Sequence, residues 1–271
     1  MWLAWQYGFV LAALFFAASR FLPESRHGLR ALAREASIVA TLYGLWMFAA
    51  RLSLLGIDDA VTRAEWIFET QSSIGLPSEL TLQNWVRNSS VGTQAANIYY
   101  AGMHVPTMGI FLIWLFLRHR ESYPAWRNTL ALTTGISLVI QLIPVAPPRL
   151  TPATGLVDTG LEYGQSVYSA LGYESAGQYQ AMPSIHVAWA AVVGLAVWRV
   201  SSSRWRWVGP AHFAITCFVV VVTGHHFWLD GIVACAVVVI THVAAVAVRD
   251  MRGERRAGAP QHSADELSVP P

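Results

Sequence analysis

The chain has no lysine: all 18 of its basic residues are arginines, set against 16 carboxylates for a net charge of +2. So small a surplus gives no electrostatic footprint for nucleic acid, which is excluded as a partner. Charge of either sign is scarce, at 13% of 271 residues, whereas 54% are apolar and mean hydropathy is +0.41. A soluble domain does not carry that balance. Cysteine is nearly absent, and Cys217 and Cys235 both fall inside apolar stretches. Neither a disulfide framework nor a zinc motif can be built from them. No internal repeat and no second domain are visible.

What is abundant is uncharged apolar sequence. About 20 such residues cross a bilayer core, and candidates lie near 2–19, 37–55, 97–117, 128–146, 183–200, 207–224 and 228–248. The first has no basic residue before it and Arg20 directly after it. That order is the reverse of a secretory signal, so the segment is expected to be retained. The expectation is an all-α, polytopic membrane bundle of about six to seven transmembrane helices. Residues 1–56 would hold N-terminal transmembrane helices, 57–96 an extracytoplasmic or interfacial segment, 97–248 the catalytic helical core, and 249–271 a disordered cytoplasmic tail. Within the second of these, Trp66, Ile67, Trp85 and Val86 alternate with Asp58, Asp59, Glu65, Glu69 and Glu79. Helices lying along the membrane surface and a structured extramembrane connection both read this way.

Arginine placement orients the bundle, because cytoplasmic loops are enriched in basic residues. Alternate loops hold Arg20, Arg26, Arg30 and Arg34, then Arg118, Arg120 and Arg127, then Arg199, Arg204 and Arg206, then Arg249, Arg252, Arg255 and Arg256. The other loops hold Arg63, Arg87 and Arg149 and most of the acidic residues, while Arg51 lies inside a span. The N-terminus is therefore expected outside a cell membrane and the C-terminus in the cytoplasm.

Ionisable groups at membrane ends are expensive, and so they are where function is sought. Three clusters qualify: Pro147-Pro148-Arg149-Leu150, Pro183-Ser184-Ile185-His186, and Gly224-His225-His226-Phe227-Trp228-Leu229-Asp230. By the orientation above they share the extracytoplasmic face. If the seventh span begins by residue 226, Asp230 lies one turn from His226 and can fix its tautomer, which makes a competent nucleophile. His186 can supply a proton, Arg149 a planar fork for phosphate oxygens, and Ser184 a hydroxyl donor. With helix N-terminal amides these would stabilise phosphoryl transfer without a metal or other cofactor. Each cluster also has a plainer reading: a structural His-Asp hydrogen bond, a proline loop breaker with an interfacial arginine, and a serine helix cap.

At these residues the sequence resembles the type 2 phosphatidic acid phosphatase superfamily, and within it the inositol phosphorylceramide synthase-like branch. That branch carries Pro-Ser-Leu-His and His-His-Tyr-x-x-Asp, where this chain has Pro183-Ser184-Ile185-His186 and His225-His226-Phe227-Trp228-Leu229-Asp230. The run from Glu79 through Tyr100, His104 and Pro106 is similar to the same branch. The resemblance implies attack on phosphorus by His226, orientation by Asp230, leaving-group protonation by His186, and phosphate binding by Arg149, with Ser184 and His225 beside it. It implies a phospholipid or other lipid phosphate as substrate, with water or a lipid alcohol as acceptor. The superfamily's lysine before the first arginine is missing, and Val220 stands where the wider family has arginine. A less cationic site favours a phosphodiester over a phosphomonoester, with His225 or His104 able to restore charge if protonated. A plain phosphatase acting on phosphatidate or a polyprenyl diphosphate would use the same residues.

Two other classes remain. A transporter would need polar residues along a path, and the span interiors otherwise hold only Arg51, His104, His212 and His242. A metal or haem protein would need adjacent histidines to reach one ion from a helix, which they do poorly.

Overall fold

A computed structural model of the chain describes residues 5–49, 59–166 and 176–257. Among these the secondary structure is helical, with one isolated bridge between Val145 and Gln180. In chain order, α1 is Trp5–Phe21, α2 His27–Ala49, α3 Ala60–Ser73, α4 Glu79–Arg87, α5 Ser90–Gly102, α6 His104–Arg118 and α7 Tyr123–Gln141. After two short 3-10 turns at Pro148–Leu150 and Pro152–Thr154 come α8 Thr159–Glu162, α9 Ile185–Val200, α10 Val208–Val222 and α11 Trp228–Ala257. Serine and aspartate caps set several starts: Ser78, Ser89, Asp158 and Ser184 each accept a backbone N–H from the first turn of the helix that follows.

The core lies where α9, α10 and α11 meet α6. Leu115, Val187, Ala188, Val192, Ala196, Val219, Val220, Val221, Ala234 and Val238 are buried together. Between α9 and α10 the backbones nearly touch, because a Cβ on Gly209 would lie 3.1 Å from Gly194 Cα and 2.8 Å from Val197 Cβ. Small residues at such crossings are how apolar helices pack in a solvent that is itself apolar. Side-chain hydrogen bonds add to it, with Thr133 to Thr241 at 2.7 Å joining α7 to α11. The outward faces keep Ile110, Leu117, Val139, Ile240 and Val243 exposed, which in water would be a large apolar surface and in lipid is the expected coat.

The seven expected spans each contain a helix, but few pass a strict test of length and apolarity. Among the described residues, Arg204–Val222 and Trp228–Ala247 pass singly, and α5 with α6 passes only as a pair bent by 52°. The span expected at 97–117 is therefore broken at Gly102-Met103. α2 begins ten residues earlier than expected and so takes in Arg30, Arg34 and Glu35. α9 has 16 residues, about 24 Å of helix against a hydrocarbon core of roughly 30 Å. The described residues just before it hold a short 3-10 turn, Ala176–Tyr179, and then the buried Ala181.

At the other end, α11 remains helical to Ala257, past the Arg249 at which the tail was expected to begin. The expected disorder beyond residue 257 concerns residues outside those described, as does Arg51. The segment 57–96 contributes two amphipathic helices with one face buried. α3 buries Ala60, Ala64, Ile67 and Gln71 and exposes Trp66, and α4 buries Glu79 and Gln83 and exposes Trp85.

Candidate active site

The three sequence clusters converge, and backbone hydrogen bonds hold them. Arg149 N–H donates to Gly224 O at 2.9 Å, and Ser184 N–H donates to Asp230 O at 3.1 Å. Val145 N–H donates to Tyr179 O at 2.7 Å and Ala181 N–H to Val145 O at 3.2 Å, so the segment leading to Arg149 lies alongside the one leading to Ser184. Gly224 makes the junction possible. Its φ is +70°, and a Cβ there would meet Arg149 Cβ at 3.1 Å, so an alanine would be both strained and crowded.

His226 lies in the link between α10 and α11, two residues ahead of the helix. The expected stacking of His226 over Asp230 on one helical face is therefore not what the fold builds. His226 Nδ1 is 2.8 Å from Ala181 O and 3.5 Å from Asp230 Oδ2. A carbonyl can only accept, so Nδ1 carries the hydrogen and Nε2 keeps its lone pair. Asp230 accepts the Phe227 N–H at 2.8 Å, so its first structural role is to cap α11, with the imidazole as a longer-range neighbour.

His226 Nε2 faces His186 Nδ1 at 3.2 Å. Because Nε2 is the acceptor of that pair, His186 Nδ1 is the donor. A ring-nitrogen lone pair and an N–H donor therefore stand face to face. Burial pushes the His226 imidazole down to about 4, against a weaker upward pull from the Ala181 carbonyl. It is thus unprotonated at neutral pH, and the acid limb of kcat/KM should fall below pH 6.5, the ordinary histidine value, in a pH–rate profile. A limb centred at or above 6.5 would contradict this. The same shift bears on stability. The unfolded chain takes up a proton as pH falls below about 6.5 and the folded site does not until about 4, so His226 destabilises the fold progressively across that window.

Arg149 is buried, and its Nε donates to Asp158 Oδ2 at 2.9 Å. Asp158 also caps α8 through its other oxygen, accepting Leu161 N–H at 2.9 Å. The carboxylate that aims Arg149 was not recognisable in the sequence, because nothing local distinguishes Asp158 from a helix cap. Ser184 fills the cap position of α9, accepting Val187 N–H at 3.3 Å, which leaves its O–H as the donor of the group. His225 is stacked on Tyr100 with ring centroids 3.7 Å apart, and its Nδ1 is 2.9 Å from Thr223 Oγ1. Burial first, then nearby Arg149, His226 and His186, hold its imidazole well below the usual range. The expectation that His225 adds positive charge thus gives way to a neutral hydrogen-bonding group.

Two buried residues of α4 close the site from the other side. Gln83 donates to Val157 O at 3.0 Å and Val222 O at 3.1 Å and accepts Val157 N–H at 2.9 Å, tying the loop after Arg149 to the end of α10. Glu79 is bonded to Gln71 and accepts Trp228 N–H at 3.4 Å. Burial raises its carboxyl above the ordinary range, with those hydrogen bonds opposing. The first amides of α11 are consequently taken by Asp230 and Glu79, where the helix dipole favours carboxylates.

Two of the histidines inside the spans make contacts of their own. His212 is 2.7 Å from Tyr99 Oη, and His242 is 2.7 Å from Arg199 and stacked on Trp126. Among the described residues no group of three or more His, Cys, Asp or Glu is placed to hold a metal ion.

No curated protein and no solved structure matches the chain. The family profile described as PAP2 superfamily matches residues 65–244, which runs from α3 to α11 and takes in every residue of the site. The chain therefore belongs to the PAP2 superfamily, whose type 2 phosphatidic acid phosphatases make it a phosphatase-type lipid enzyme of the membrane.

Proposed function

We propose that this protein transfers a phosphoryl or phosphodiester group from a phospholipid through a phosphohistidine at His226, in the manner of the inositol phosphorylceramide synthase-like branch. The observation that carries the reading is the His226 ring, held through Nδ1 by the Ala181 carbonyl with Nε2 directed at His186. Substrate phosphorus enters between the two histidines. An Nε2–P bond forms, the bond from phosphorus to the lipid oxygen breaks, and the departing electron pair takes a proton from the His186 imidazolium that the anionic substrate favours. The acceptor oxygen then attacks phosphorus, Nε2 leaves, and the acceptor's proton passes to the neutral His186. Arg149 holds non-bridging oxygens, with Asp158 fixing its plane. Asp230 supports His226 from 3.5 Å and secures the turn that presents it.

Val220 supports the phosphodiester preference. Its side chain is packed in the apolar core, while its carbonyl receives the His225 and His226 N–H groups at 3.0 and 3.1 Å. The position where the wider superfamily has an arginine thus supplies backbone support and no charge. A plain phosphatase acting on phosphatidate or a polyprenyl diphosphate remains the second reading, favoured by the superfamily as a whole.

Purified protein given phosphatidate, a polyprenyl diphosphate or phosphatidylinositol, each with a lipid alcohol, decides between them. A head group transferred to the alcohol supports the synthase-like reading, and free phosphate alone supports the phosphatase. Silence on all three would remove both.

The arginine distribution supports an extracytoplasmic site, with the N-terminus outside and the C-terminus in the cytoplasm. Ala153, exposed four residues beyond Arg149, offers a probe. A cysteine at that position should react with a membrane-impermeant maleimide in intact cells, and reaction only after the membrane is opened would reverse the orientation.

A further inference from the structure

The first turn of α6 contains a histidine that the proposed reaction does not use. His104 is 95% buried, on a relative exposure of 5%, and both its ring nitrogens lack a hydrogen-bond partner among the described residues. Leaving one buried polar atom unmatched costs about 1–3 kcal/mol, and two on one ring is an arrangement that asks for a ligand. The ring lies against the reaction centre: its centroid is 4.4 Å from that of His186, and the His186 centroid is 5.5 Å from that of His226.

A neutral imidazole offers one donor and one acceptor. Phosphate oxygens without hydrogen can satisfy only the donor. A hydroxyl can serve either nitrogen, accepting from the one that carries hydrogen or donating to the one that does not, and it is the group that leaves and enters next to His186.

Apolar surroundings lie about one turn away along both helices that carry these histidines. Met108 is one turn from His104 on α6 and Trp189 is three residues from His186 on α9. Both line a cavity of 260 Å³ walled by Val39, Leu112 and Leu130.

We infer that His104 and His186 together form the alcohol subsite, in which His104 binds the hydroxyl of an amphiphilic alcohol whose apolar tail occupies the cavity beside Met108 and Trp189. The inference rests on the phosphohistidine reading above and names the acceptor class. In the second half-reaction the bond from the alcohol oxygen to phosphorus forms, the P–Nε2 bond breaks, and the hydroxyl proton passes to His186. His104 keeps the alcohol in line.

The test uses full-length protein with phosphatidate as donor and n-octanol as acceptor, and it reads the ratio of octyl phosphate to free phosphate. That ratio is independent of how much protein is folded, so a purely structural role for His104 leaves it untouched. His104→Phe is expected to lower it at least tenfold, and wild-type protein is expected to prefer n-octanol to ethanol. An unchanged ratio, or a wild type that hydrolyses phosphatidate without ever forming octyl phosphate, overturns the subsite while leaving the phosphohistidine reading intact. If wild-type protein leaves phosphatidate untouched, phosphatidylinositol serves as donor and the ratio of octyl inositol phosphate to free inositol phosphate is read in the same way; no turnover of phosphatidate, phosphatidylinositol or a polyprenyl diphosphate overturns both. If the phenylalanine variant does not reach the membrane, His104→Asn decides, because its shorter amide displaces the hydroxyl: a shifted ratio supports the subsite and an unshifted one removes it.

Discussion

Replacing His226 with alanine is expected to remove turnover, by about 10⁴-fold or more, which is the scale on which nucleophile deletions fall. The structure locates the loss in one atom. Nε2 is the nitrogen of His226 left with a lone pair once Nδ1 is committed to the Ala181 carbonyl. The substitution also strands that carbonyl and removes the partner of His186, so some stability is lost, of order 1–3 kcal/mol. His226→Asn separates the two effects, because its amide can still donate to Ala181 but cannot form the phosphoryl bond. Denatured wild-type protein trapped during turnover with labelled phosphatidate should retain an acid-labile, base-stable phosphoryl group, and the His226→Asn protein should retain none. Labelling or a near-normal rate in that variant would move the nucleophile elsewhere.

Arg149→Lys is expected to lower kcat/KM by about 100-fold or more, despite keeping the charge. A guanidinium uses Nε on one partner while its terminal nitrogens form a planar fork for another, and an ammonium cannot reproduce both. Arg149 is built for that division, with Nε on Asp158 at 2.9 Å inside a buried setting. Asp158→Asn keeps the shape but weakens the clamp, so it should show a milder loss in the same direction, about tenfold. A lysine variant with a near-normal rate would mean that the phosphate is bound elsewhere. Equal losses in the two variants would mean that Asp158 acts as more than the orienting partner of Arg149.

The paired losses bear on how much a linear motif reveals. Arg149, Ser184, His186, His225, His226 and Asp230 were all recognisable as clusters at membrane ends, because an ionisable group beside a long apolar run is anomalous in composition alone. The residues that aim them were not. Asp158 looks like a cap, Gln83 like a polar residue of a surface helix, and Ala181 contributes only a carbonyl, which no sequence pattern can mark. Glu79 and His104 were visible through the family-like run that holds them, but with no indication that one caps α11 or that the other borders His186. The break at Gly102-Met103 was missed for a related reason: hydropathy averages over a window and is blind to a change of direction within it.

By itself, then, the sequence determined that the chain is helical, that it belongs in a membrane, and which chemical groups are available at one end of the bundle. Those properties are local or compositional: apolar runs must leave water, helices satisfy their own backbone, and charge at their ends is costly enough to signify use. Tertiary structure alone decided which nitrogen of His226 is committed to a carbonyl and which faces His186, what pairs with Arg149, and that α4 and α6 deliver Glu79, Gln83 and His104 to the site. Those outcomes depend on hydrogen bonds across as many as 149 residues of chain, as between Glu79 and Trp228. Such partners are selected by how helices pack, and packing depends on every side chain in the interface at once.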